Sequence, residues 1–530
     1  MKPSTCQTCP LHVRGTGWVV PEGKLTHGVL LVGEAPGEEE AEKGRPFVGA
    51  SGVFLDRLIS RMVDPLTGTP LRREDFMVAN ILQCRPPENK LTKMPYEFEA
   101  LRNCSTHLRN FLQKEKNNIK AIVTLGNQPL RWFTQRWGVD DLRGYVWPSQ
   151  WGPVIGTYHP SYLLRGNFHL SRIVQHDIMK AIALARGERF EREKRYLVDP
   201  TIPVFASWVE EYVQQHSTSP LAFDIETPYG VKDDVLYEGK EDDVVENDPS
   251  YNILRCSFSY KPLEAVSIPW VEPYVGLAKR LFATPSWKLV HNQNFDVPRL
   301  HAAGVLFGGV VVDNMDAWHY LEPSLPMGLK WIASLLCPDM PYWKDEAHTN
   351  PGWYNAADSD VLLRCFLSTR ERLTREGRWD GFDKQFIQLR RVLDRMSFRG
   401  IKTDREVREA GRVHFSQRFT EVEQSLQNKV PLDVLKKKVY KGDEEKLKKG
   451  GQWEQGMMVR LAVIEPVPKR WWWAVSPTGQ PLGRVKSVTS IEAEEMLRQK
   501  LGEQDFTLSE VKPPKVKKPK RGKKSEVGGA

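Results

Sequence analysis

Long apolar segments are missing from this chain, and cysteine is scarce. No hydrophobic run approaches the roughly eighteen residues that a membrane-spanning helix needs, and the first twenty residues, with Cys6, Cys9 and Arg14, lack a signal-peptide core. We therefore expect no membrane partner and a cytoplasmic location. The seven cysteines are an odd number in a chain without an export signal, which disfavours a disulfide framework and leaves metal or cluster ligation as the alternative.

The composition is that of an ordinary soluble protein with a small excess of positive charge. At 530 residues the chain is long enough for two or three independent hydrophobic cores. Hydrophobic residues make up 40% of it and charged residues 27%. Lysine and arginine total 76 against 67 for aspartate and glutamate, and this net charge of +9 suits a polyanionic partner.

Two carboxylates one residue apart end a short apolar run in the middle of the chain. Asp224 and Glu226, in the segment Phe223-Asp224-Ile225-Glu226-Thr227, would share one face of a strand. Both could then reach one pair of divalent cations, which is the arrangement that in-line phosphodiester hydrolysis needs. An Asp-x-Glu pair alone is more often a solvated strand end, so the interpretation depends on partners elsewhere in the chain.

Two later segments supply such partners. An apolar run at 289–290 continues into His291-Asn292-Gln293-Asn294-Phe295-Asp296, which ends in a third carboxylate. In the segment 354–358, Tyr354 and Asp358 are four residues apart and would lie on one face of a helix. The aspartate could complete the coordination of the first cation while the phenol positions the attacking water.

In this order and at this spacing, the DxE, NxxFD and YxxxD motifs resemble the three exonuclease motifs of the DnaQ-like proofreading domain of family A DNA polymerases. The segments 313–317 and 327–333 resemble the stretch that those polymerases place between the second and third motifs. The cofactors would be two Mg²⁺ or Mn²⁺ ions, since sites made only of carboxylates favour hard cations. The resemblance implies a first metal site at Asp224, Glu226 and Asp358, a second at Asp224 and Asp296, a water-orienting Tyr354 and a substrate contact at Asn292.

Four cysteines in polar surroundings mark the N-terminal part. Cys6 and Cys9 are two residues apart and could grip one metal ion or cluster edge, and Cys84 and Cys104 follow in the same predicted domain. Four thiolates indicate either an iron-sulfur or a zinc site, and spacing alone does not separate the two. Ordinary core thiols are predicted at Cys256, Cys337 and Cys365, which have apolar neighbours.

Alternating strand-like and helix-like segments predict an open, largely parallel sheet in the first 188 residues. Its apolar runs lead into Glu34, Asn80 and His159, and ligands bind at the carboxyl ends of parallel strands. Phe47 precedes a helix and is placed to stack on a planar ring. Together these side chains describe a pocket for a base with amide-like edges. The helix after Phe47 has predicted core positions at Phe54, Leu55, Leu58, Ile59 and Met62.

The motifs of this region closely resemble those of the family 4, or iron-sulfur, uracil-DNA glycosylases from about Cys6 to Gly187. They are GEAPG, GRPFVG, NILQCRPP, LG, LRG and TYHPSYLLR, which begin at residues 33, 44, 80, 125, 142 and 157. The resemblance implies a 4Fe-4S cluster and a pocket for a flipped uracil, whose extrusion costs least in single-stranded or mispaired DNA.

The resemblance also assigns roles to individual residues. His159 would stabilise the anionic uracil leaving group, and Glu34 with its loop would position the attacking water. The remaining implied site residues are Cys6, Cys9, Cys84 and Cys104 for the cluster, Phe47 for stacking, Asn80 for the pyrimidine edge, and Gly33, Pro36 and Arg165 for substrate binding.

One position departs from the family pattern, because Ala41 stands where these glycosylases usually have Asp. This departure leaves open a second hypothesis, a non-cleaving accessory subunit that senses uracil and proofreads for a separately encoded DNA polymerase. A third hypothesis is an inert remnant of a split gene, which predicts no activity at either site.

The C-terminal third contains fewer segments that indicate a function. Residues 388–404 still resemble a family A polymerase at the start of its thumb, but no paired-carboxylate palm motif follows, so we expect no polymerase activity. The Trp-rich segment 470–473 could stack on single-stranded bases or form the core of a small β-rich unit. The tail is basic and predicted to be disordered, and would bind phosphate backbones non-specifically.

The predicted fold class is α/β: a uracil-DNA glycosylase-like open parallel-sheet domain, then an α/β RNase H-like (DnaQ-like) exonuclease domain, a helical segment and a basic tail. The predicted function is excision of uracil from DNA together with metal-dependent 3′-5′ exonuclease activity on single-stranded DNA, in a bacterial or phage-infected cell. The predicted boundaries are 1–188 for the glycosylase-like domain, 189–203 for a charged linker, 204–375 for the nuclease, 376–430 for the helical segment, 431–510 for the basic Trp-containing region and 511–530 for the tail.

Overall fold

The computed structural model describes residues 2–228, 252–399 and 404–429, together with short strands at 470–475, 481–487 and 507–509. The chain divides into two compact units, Met1–Gly400 and Ile401–Ala530. The predicted tail at 511–530 and most of the region 431–510 lie outside the described residues. None of the described helices has both the length and the apolar character needed to cross a membrane.

Five short, apolar strands form the first sheet. They are β1 (Val29–Gly33), β2 (Met77–Asn80), β3 (Ala121–Leu125), β4 (Val146–Trp147) and β5 (Val154–Thr157). Their order is β2-β1-β3-β5-β4, and all neighbours are parallel except β4, which pairs antiparallel at one edge. β1, β3 and β5 are buried along their whole length, which is typical of a parallel sheet covered on both faces.

Eight helices accompany this sheet. They are α1 (Leu11–Arg14), α2 (Glu38–Lys43), α3 (Ala50–Ser60), α4 (Glu97–Lys114), α5 (Asn127–Thr134), α6 (Val139–Leu142), α7 (Pro160–Leu164) and α8 (Ser171–Ala185). The apolar stripe of α3 packs as its spacing predicts: Leu55, Leu58 and Ile59 are buried, Met62 just beyond the helix is buried too, and Phe54 is half-buried against the same core.

The second sheet has six strands. They are β6 (Arg195–Val198), β7 (Leu221–Glu226), β8 (Arg255–Lys261), β9 (Glu264–Pro269), β10 (Lys288–Val290) and β11 (Val311–Asp313). Their order is β11-β10-β7-β8-β9-β6, with β8 antiparallel to both of its neighbours and the other pairs parallel. β6 lies within the segment predicted to be a charged linker, and it pairs with β9 at the edge of the sheet.

Six helices belong to this second part. They are α9 (Ile202–Gln215), α10 (Tyr274–Phe282), α11 (Gln293–Ala302), α12 (Asn314–Leu321), α13 (Leu329–Leu336) and α14 (Pro351–Arg375). The mixed α/β fold class expected from the sequence is therefore confirmed. The thiols of Cys256, Cys337 and Cys365 are buried, as their apolar neighbours predict.

The described C-terminal elements are helices and three strands. A π-helical stretch, Asp383–Gln388, separates α15 (Trp379–Phe382) from α16 (Leu389–Arg399). In the second unit, α17 (Arg405–Lys429) is followed by β12 (Arg470–Val475), β13 (Pro481–Ser487) and β14 (Thr507–Ser509). These strands form an antiparallel sheet with β12, which carries the three tryptophans, at its centre.

The two sheet-containing parts of the first unit share one hydrophobic core. A single cluster of buried residues includes Val123 and Ile155 of the first sheet together with Trp331 and Phe366 of the second part. Burial of apolar surface across this boundary favours one rigid body over two loosely tethered domains.

A buried arginine ties the two parts together. The side chains of Arg143 and Asp177 are fully buried, and Arg143 Nε donates to Asp177 Oδ2 at 3.0 Å while Nη2 donates to Oδ1. The remaining guanidinium nitrogen, Nη1, donates to Ser334 Oγ of α13 at 2.7 Å. Tyr145 Oη also donates to the Lys330 carbonyl. Such a pair stays stable only when its donors and acceptors are all satisfied, so α13 completes the packing of the first part.

Candidate functional sites

A cavity of about 460 Å³ opens at the carboxyl ends of the first sheet. The loops that follow β1, β3 and β5 line it, which is where an open parallel sheet places its ligands. Glu34, Pro36, His159 and Arg165 are all part of its lining. Four of the residues expected at the uracil site therefore surround one cavity.

Gly33, Phe47 and Asn80 are in mutual contact beside this cavity but are not part of its lining. A Cβ added to Gly33 would lie 2.5 Å from both Asn80 Oδ1 and Phe47 Cζ, so only glycine permits this approach. The Phe47 ring lies 5.8 Å from the His159 ring. The buried Asn80 Oδ1 has no hydrogen-bond partner among the described residues, which is a costly state for an amide oxygen and suits one reserved for a ligand.

The hydrogen bonds of His159 determine which of its nitrogens carries the proton. Its Nδ1 accepts the backbone N–H of Ser161 at 3.1 Å and lies 2.8 Å from Ser161 Oγ. A backbone amide can only donate, so the proton of the neutral ring is on Nε2. Burial and, to a smaller extent, the charge of Arg165 lower the pKa of His159 to about 4. At neutral pH the ring therefore offers an uncharged N–H donor.

Glu34 lies at the mouth of the same cavity. Burial raises the pKa of its carboxyl, and the nearby carboxylate of Glu97 raises it further. Glu97 is held by Gln128, whose Nε2 donates to Glu97 Oε1 at 2.8 Å. Neither Glu97 nor Gln128 belongs to a recognised motif, so nothing in the sequence singled them out.

Glu40 joins the two loops that carry Glu34 and Phe47. Its carboxylate accepts backbone N–H groups from Gly37 at 3.0 Å, Val48 at 2.9 Å and Gly49 at 2.8 Å. The neighbouring Ala41 is not part of the cavity lining and packs against Gly17 instead. The sequence drew attention to Ala41, whereas the structure gives the loop-holding role to the residue before it.

The four N-terminal cysteines line one small hollow together with Trp18 and His107. Cys6, Cys84 and Cys104 are buried, and none of the four is in a disulfide. Burial raises the pKa of Cys84 to about 11 and that of Cys104 to about 12, with smaller contributions from the other thiols. At these pKa values Cys84 and Cys104 would lose their protons at neutral pH only with a cation bound, and the donor set in the hollow is that of a four-thiolate cluster or metal ion.

In the second part, β7 and α14 bring three carboxylates together. Asp224 and Glu226 face the same side of β7, and Asp358 reaches them from α14. One oxygen of each lies within 4.8 Å of the others, which is close enough for a shared cation. The alternation of the strand and the pitch of the helix thus produce the grouping that their spacing predicts.

The electrostatics of this cluster reflect its like charges. Burial, followed by the charge of Asp358, raises the pKa of Asp224 well above its usual range and that of Glu226 to about 7. Burial and Asp358 also raise the pKa of the Tyr354 phenol. Lys344 compensates part of the charge: its Nζ donates to Asp358 Oδ1 at 2.7 Å and to Tyr354 Oη at 2.9 Å.

Three polar side chains hold the carboxylates in place. Asn355 Nδ2 donates to Asp224 Oδ2 at 2.9 Å, and Trp343 Nε1 donates to Asp358 Oδ1 at 2.8 Å. Lys344 is the third. No motif marked Trp343 or Lys344 in the sequence. Asn355 follows Tyr354 directly, and this position on the predicted helix was the one feature of the sequence that could have indicated its role.

Asp296 lies beside this cluster in α11, and Asn292 immediately precedes the same helix. Asp296 is buried and its Oδ1 accepts the backbone N–H of Ile225 at 3.2 Å, which places it against the strand between Asp224 and Glu226, although it is not one of the three carboxylates grouped above. Asn292 has a left-handed backbone (φ 73°), and its N–H donates to Asp313 Oδ1 at 3.0 Å.

Comparison with known proteins agrees with the first site. The family model of the uracil DNA glycosylase superfamily matches residues 20–180. The fold and the cavity of the N-terminal part thus define a member of this superfamily. A type-4 uracil-DNA glycosylase of Thermotoga maritima is 40% identical over 189 residues, which are 34% of this chain and 91% of that protein. The chain belongs, through its N-terminal part, to the type-4 uracil-DNA glycosylase family.

Two further proteins are similar to parts of this chain. A type-4 uracil-DNA glycosylase of Sulfurisphaera tokodaii is 33% identical over 204 residues, which are 37% of this chain and 84% of that protein. Among solved structures, NrnC of Brucella melitensis bound to pGG is 19% identical, with a TM-score of 0.28, and covers 40% of this chain and 97% of its own.

Proposed function

We propose that the N-terminal part excises uracil from DNA by hydrolysis of the N-glycosidic bond. The observation that carries this proposal is the likeness to type-4 uracil-DNA glycosylases over most of their length. The cavity supports it, because His159 in its lining offers an uncharged donor and Asn80 beside it holds an unsatisfied acceptor, the two kinds of group that the polar edge of a pyrimidine needs.

Each side chain has a distinct part in this reaction. As the bond between uracil N1 and the deoxyribose breaks, the base leaves with the electron pair, and His159 Nε2–H donates to its oxygen where negative charge develops. Asn80 bonds the pyrimidine edge, Phe47 packs against the ring, and Arg165 bonds the flanking backbone. Glu34 positions the water that adds to the sugar carbon, and its raised pKa makes it a better acceptor for the water proton.

Cys6, Cys9, Cys84 and Cys104 would hold the iron-sulfur cluster of this part. Its role in this proposal is to join the N-terminal segment to α4 and the loop after β2, which anchors the wall of the domain next to the cavity. No step of the excision passes through it.

The excision is tested with one end-labelled single strand that contains a single uracil. Incubation of the full chain in EDTA silences metal-dependent degradation, and alkali then cleaves the strand at any abasic site. We expect a band at the uracil for the wild type and for the control His169→Ala, whose exposed imidazole is outside the cavity, and none for His159→Ala. A protein that binds the uracil strand but leaves it intact would instead support the accessory, uracil-sensing role.

We propose that the second part is a metal-dependent 3′-5′ exonuclease acting on single-stranded DNA. The grouping of Asp224, Glu226 and Asp358 carries this proposal. Buried carboxylates that raise one another's pKa favour a bound cation, because a cation relieves their repulsion. The three would hold one Mg²⁺ or Mn²⁺, and Asp224 with Asp296 would hold a second.

The cations, when bound, would neutralise charge on the phosphate and activate the attacking water. The chain supplies orientation around them. Tyr354 donates its phenol proton toward the water, and Asn355 and Trp343 prevent the carboxylates from turning. Lys344 offsets part of the negative charge of the cluster, and Asn292 holds the nucleotide that is removed.

Asp224→Asn tests the nuclease because it removes one charge and preserves shape. We expect loss of single-strand degradation in Mg²⁺ with unchanged uracil release in EDTA. Asp380→Asn is the matched control, since this aspartate is exposed in α15 and away from the cluster. Continued degradation by Asp224→Asn would refute the assignment. Calorimetric titration with Mn²⁺ provides a second readout, in which the variant should bind fewer ions than the wild type.

A cytoplasmic location and a DNA partner that offers both uracil and a free 3′ end complete this proposal. A separately encoded polymerase remains a partner proposal, which co-purification from the native host would test. The described part of the chain supplies the excision and trimming functions that such a polymerase would use.

A further inference from the structure

A groove of about 860 Å³ runs along the first part between α4 and α5. Residues 97–109 of α4 form one wall, α5 forms the other, and Gln150 and Trp151 border it. Gln128 lines both this groove and the uracil cavity. The two hollows are therefore adjacent.

The charged side chains that line the groove are mainly positive. Arg102, Arg109 and Arg131 are all exposed there, against the single acid Glu97. Glu97 is already engaged by Gln128 and by the backbone N–H of Lys93. Arg102 has no hydrogen-bond or ion-pair partner within the part of the chain that the structure describes. Guanidinium groups left open in this way are suited to phosphate oxygens.

Aromatic rings alternate with these arginines. Phe98 is 74% exposed on α4, although burial of such a ring is normally favourable. The guanidinium of Arg109 lies 6.0 Å from the ring centroid of Trp132, and that of Arg131 lies 6.0 Å from the ring of Trp137, which lines the uracil cavity. An exposed ring such as that of Phe98 beside guanidinium groups is the pattern of a surface for unpaired bases, since a duplex keeps its base faces stacked.

We propose that this groove binds the single-stranded DNA that flanks the uracil, with Arg102 and Arg109 on phosphates and Phe98 stacked on a base. The proposal deepens the proposed excision activity and rests on it for the identity of the strand. It makes the chain an enzyme that prefers a single-stranded substrate extending to one side of the uracil.

The test measures binding of the full-length chain to labelled strands that contain 2′-fluoro-deoxyuridine, which resists excision, in EDTA. One strand ends beside the uracil analogue, and two others extend it on the 5′ or the 3′ side. We expect one extension to tighten binding by the wild type. In Arg102→Ala/Arg109→Ala that gain should become smaller, and the slope of log K against log salt should fall by about 1.4, or about 0.7 for each phosphate contact.

Two further variants separate the groove from general charge and from folding. Lys24→Ala/Arg72→Ala removes the same charge from exposed positions that line neither hollow, and should keep the gain from extension. Phe98→Ala removes an exposed ring and should weaken binding of the extended strand by about 5- to 150-fold. Its binding of the short strand should stay unchanged.

Equal affinity of the wild type for short and extended strands would refute the proposal, as would an unchanged gain in Arg102→Ala/Arg109→Ala. Tighter binding of a duplex than of the extended single strand would also overturn it. Failure of the excision proposal is seen separately, as absence of a cleaved band with ordinary uracil while the groove-dependent gain persists.

Discussion

Glu40→Gln is the sharpest test of how the uracil site is assembled. The carboxylate of Glu40 accepts three backbone N–H groups. Two come from Val48 and Gly49, which follow Phe47, and one comes from Gly37, in the loop that follows Glu34. Glutamine is nearly isosteric, and its one amide oxygen can keep the bonds to Val48 and Gly49. Its NH₂ group would then face the N–H of Gly37, and two donors cannot bond each other.

The magnitude follows from that lost bond. A hydrogen bond to a charged group contributes about 1.5–3 kcal/mol, so loss of the Gly37 bond should reduce the stability of the native conformation of the Glu34 loop by that amount. If the loop must be restored in the transition state, single-turnover excision slows by about 10- to 150-fold, at about 1.4 kcal/mol for each factor of ten.

The assay is single-turnover release of uracil from a labelled single strand, with enzyme in excess and EDTA present. Glu42→Gln is the matched control, because it makes the same change of charge at an exposed position of the same helix. Wild-type rates in Glu40→Gln, or equal slowing in Glu42→Gln, would show that the three bonds do not position the catalytic loops.

Three other predictions follow from the structure. The pKa of His159 is lowered to about 4, so the excision rate should not change through this group between about pH 8 and pH 5; a step near pH 6.5 that disappears in His159→Gln, whose amide N–H can still donate, would contradict this. Arg143→Met should leave the Asp177 carboxylate buried without its guanidinium partner and lower the free energy of unfolding by about 3–5 kcal/mol. The denaturant concentrations at which excision and degradation are half lost should then fall together; a fall for one activity alone would contradict the shared core. Asp224→Asn should raise the unfolding temperature in EDTA, because it relieves repulsion between the carboxylates. Saturating Mg²⁺, at about a hundred times its Kd, should add about 2.7 kcal/mol to the free energy of unfolding of the wild type only. Equal stabilisation of both proteins would argue against a metal at this position.

Much of the fold could be predicted because its signals are local. Apolar runs such as 29–33 predicted the buried strands, and polar residues directly after them predicted where a cavity would open. The Asp-x-Glu alternation and the four-residue spacing of Tyr354 and Asp358 each follow from the geometry of one element. The residues within each motif therefore predicted those features of the site that a single strand or helix determines.

What the sequence could not indicate depends on partners far apart in the chain. Arg143 belongs to the LRG motif, but nothing in the sequence indicates that it meets Ser334, almost two hundred residues later. Trp343 and Lys344 reach Asp358 from the start of a short 3-10 helix, Lys344–Ala347, whose position depends on the packing of α13 and α14. A charged stretch that looked solvated contains β6, because the open edge of β9 was available to pair with it.

The core shared by the two parts of the first unit has a consequence for how DNA could be handled. With α13 locked onto Arg143 and Tyr145, the uracil cavity and the carboxylate cluster cannot swing apart like domains on a hinge. On a single strand that occupies both sites, the position tested for uracil would then lie a constant number of nucleotides from the 3′ end being trimmed. The chain would thus hold a fixed distance between the two sites, and removal of one nucleotide at a time from the 3′ end would bring each base in turn to the uracil cavity.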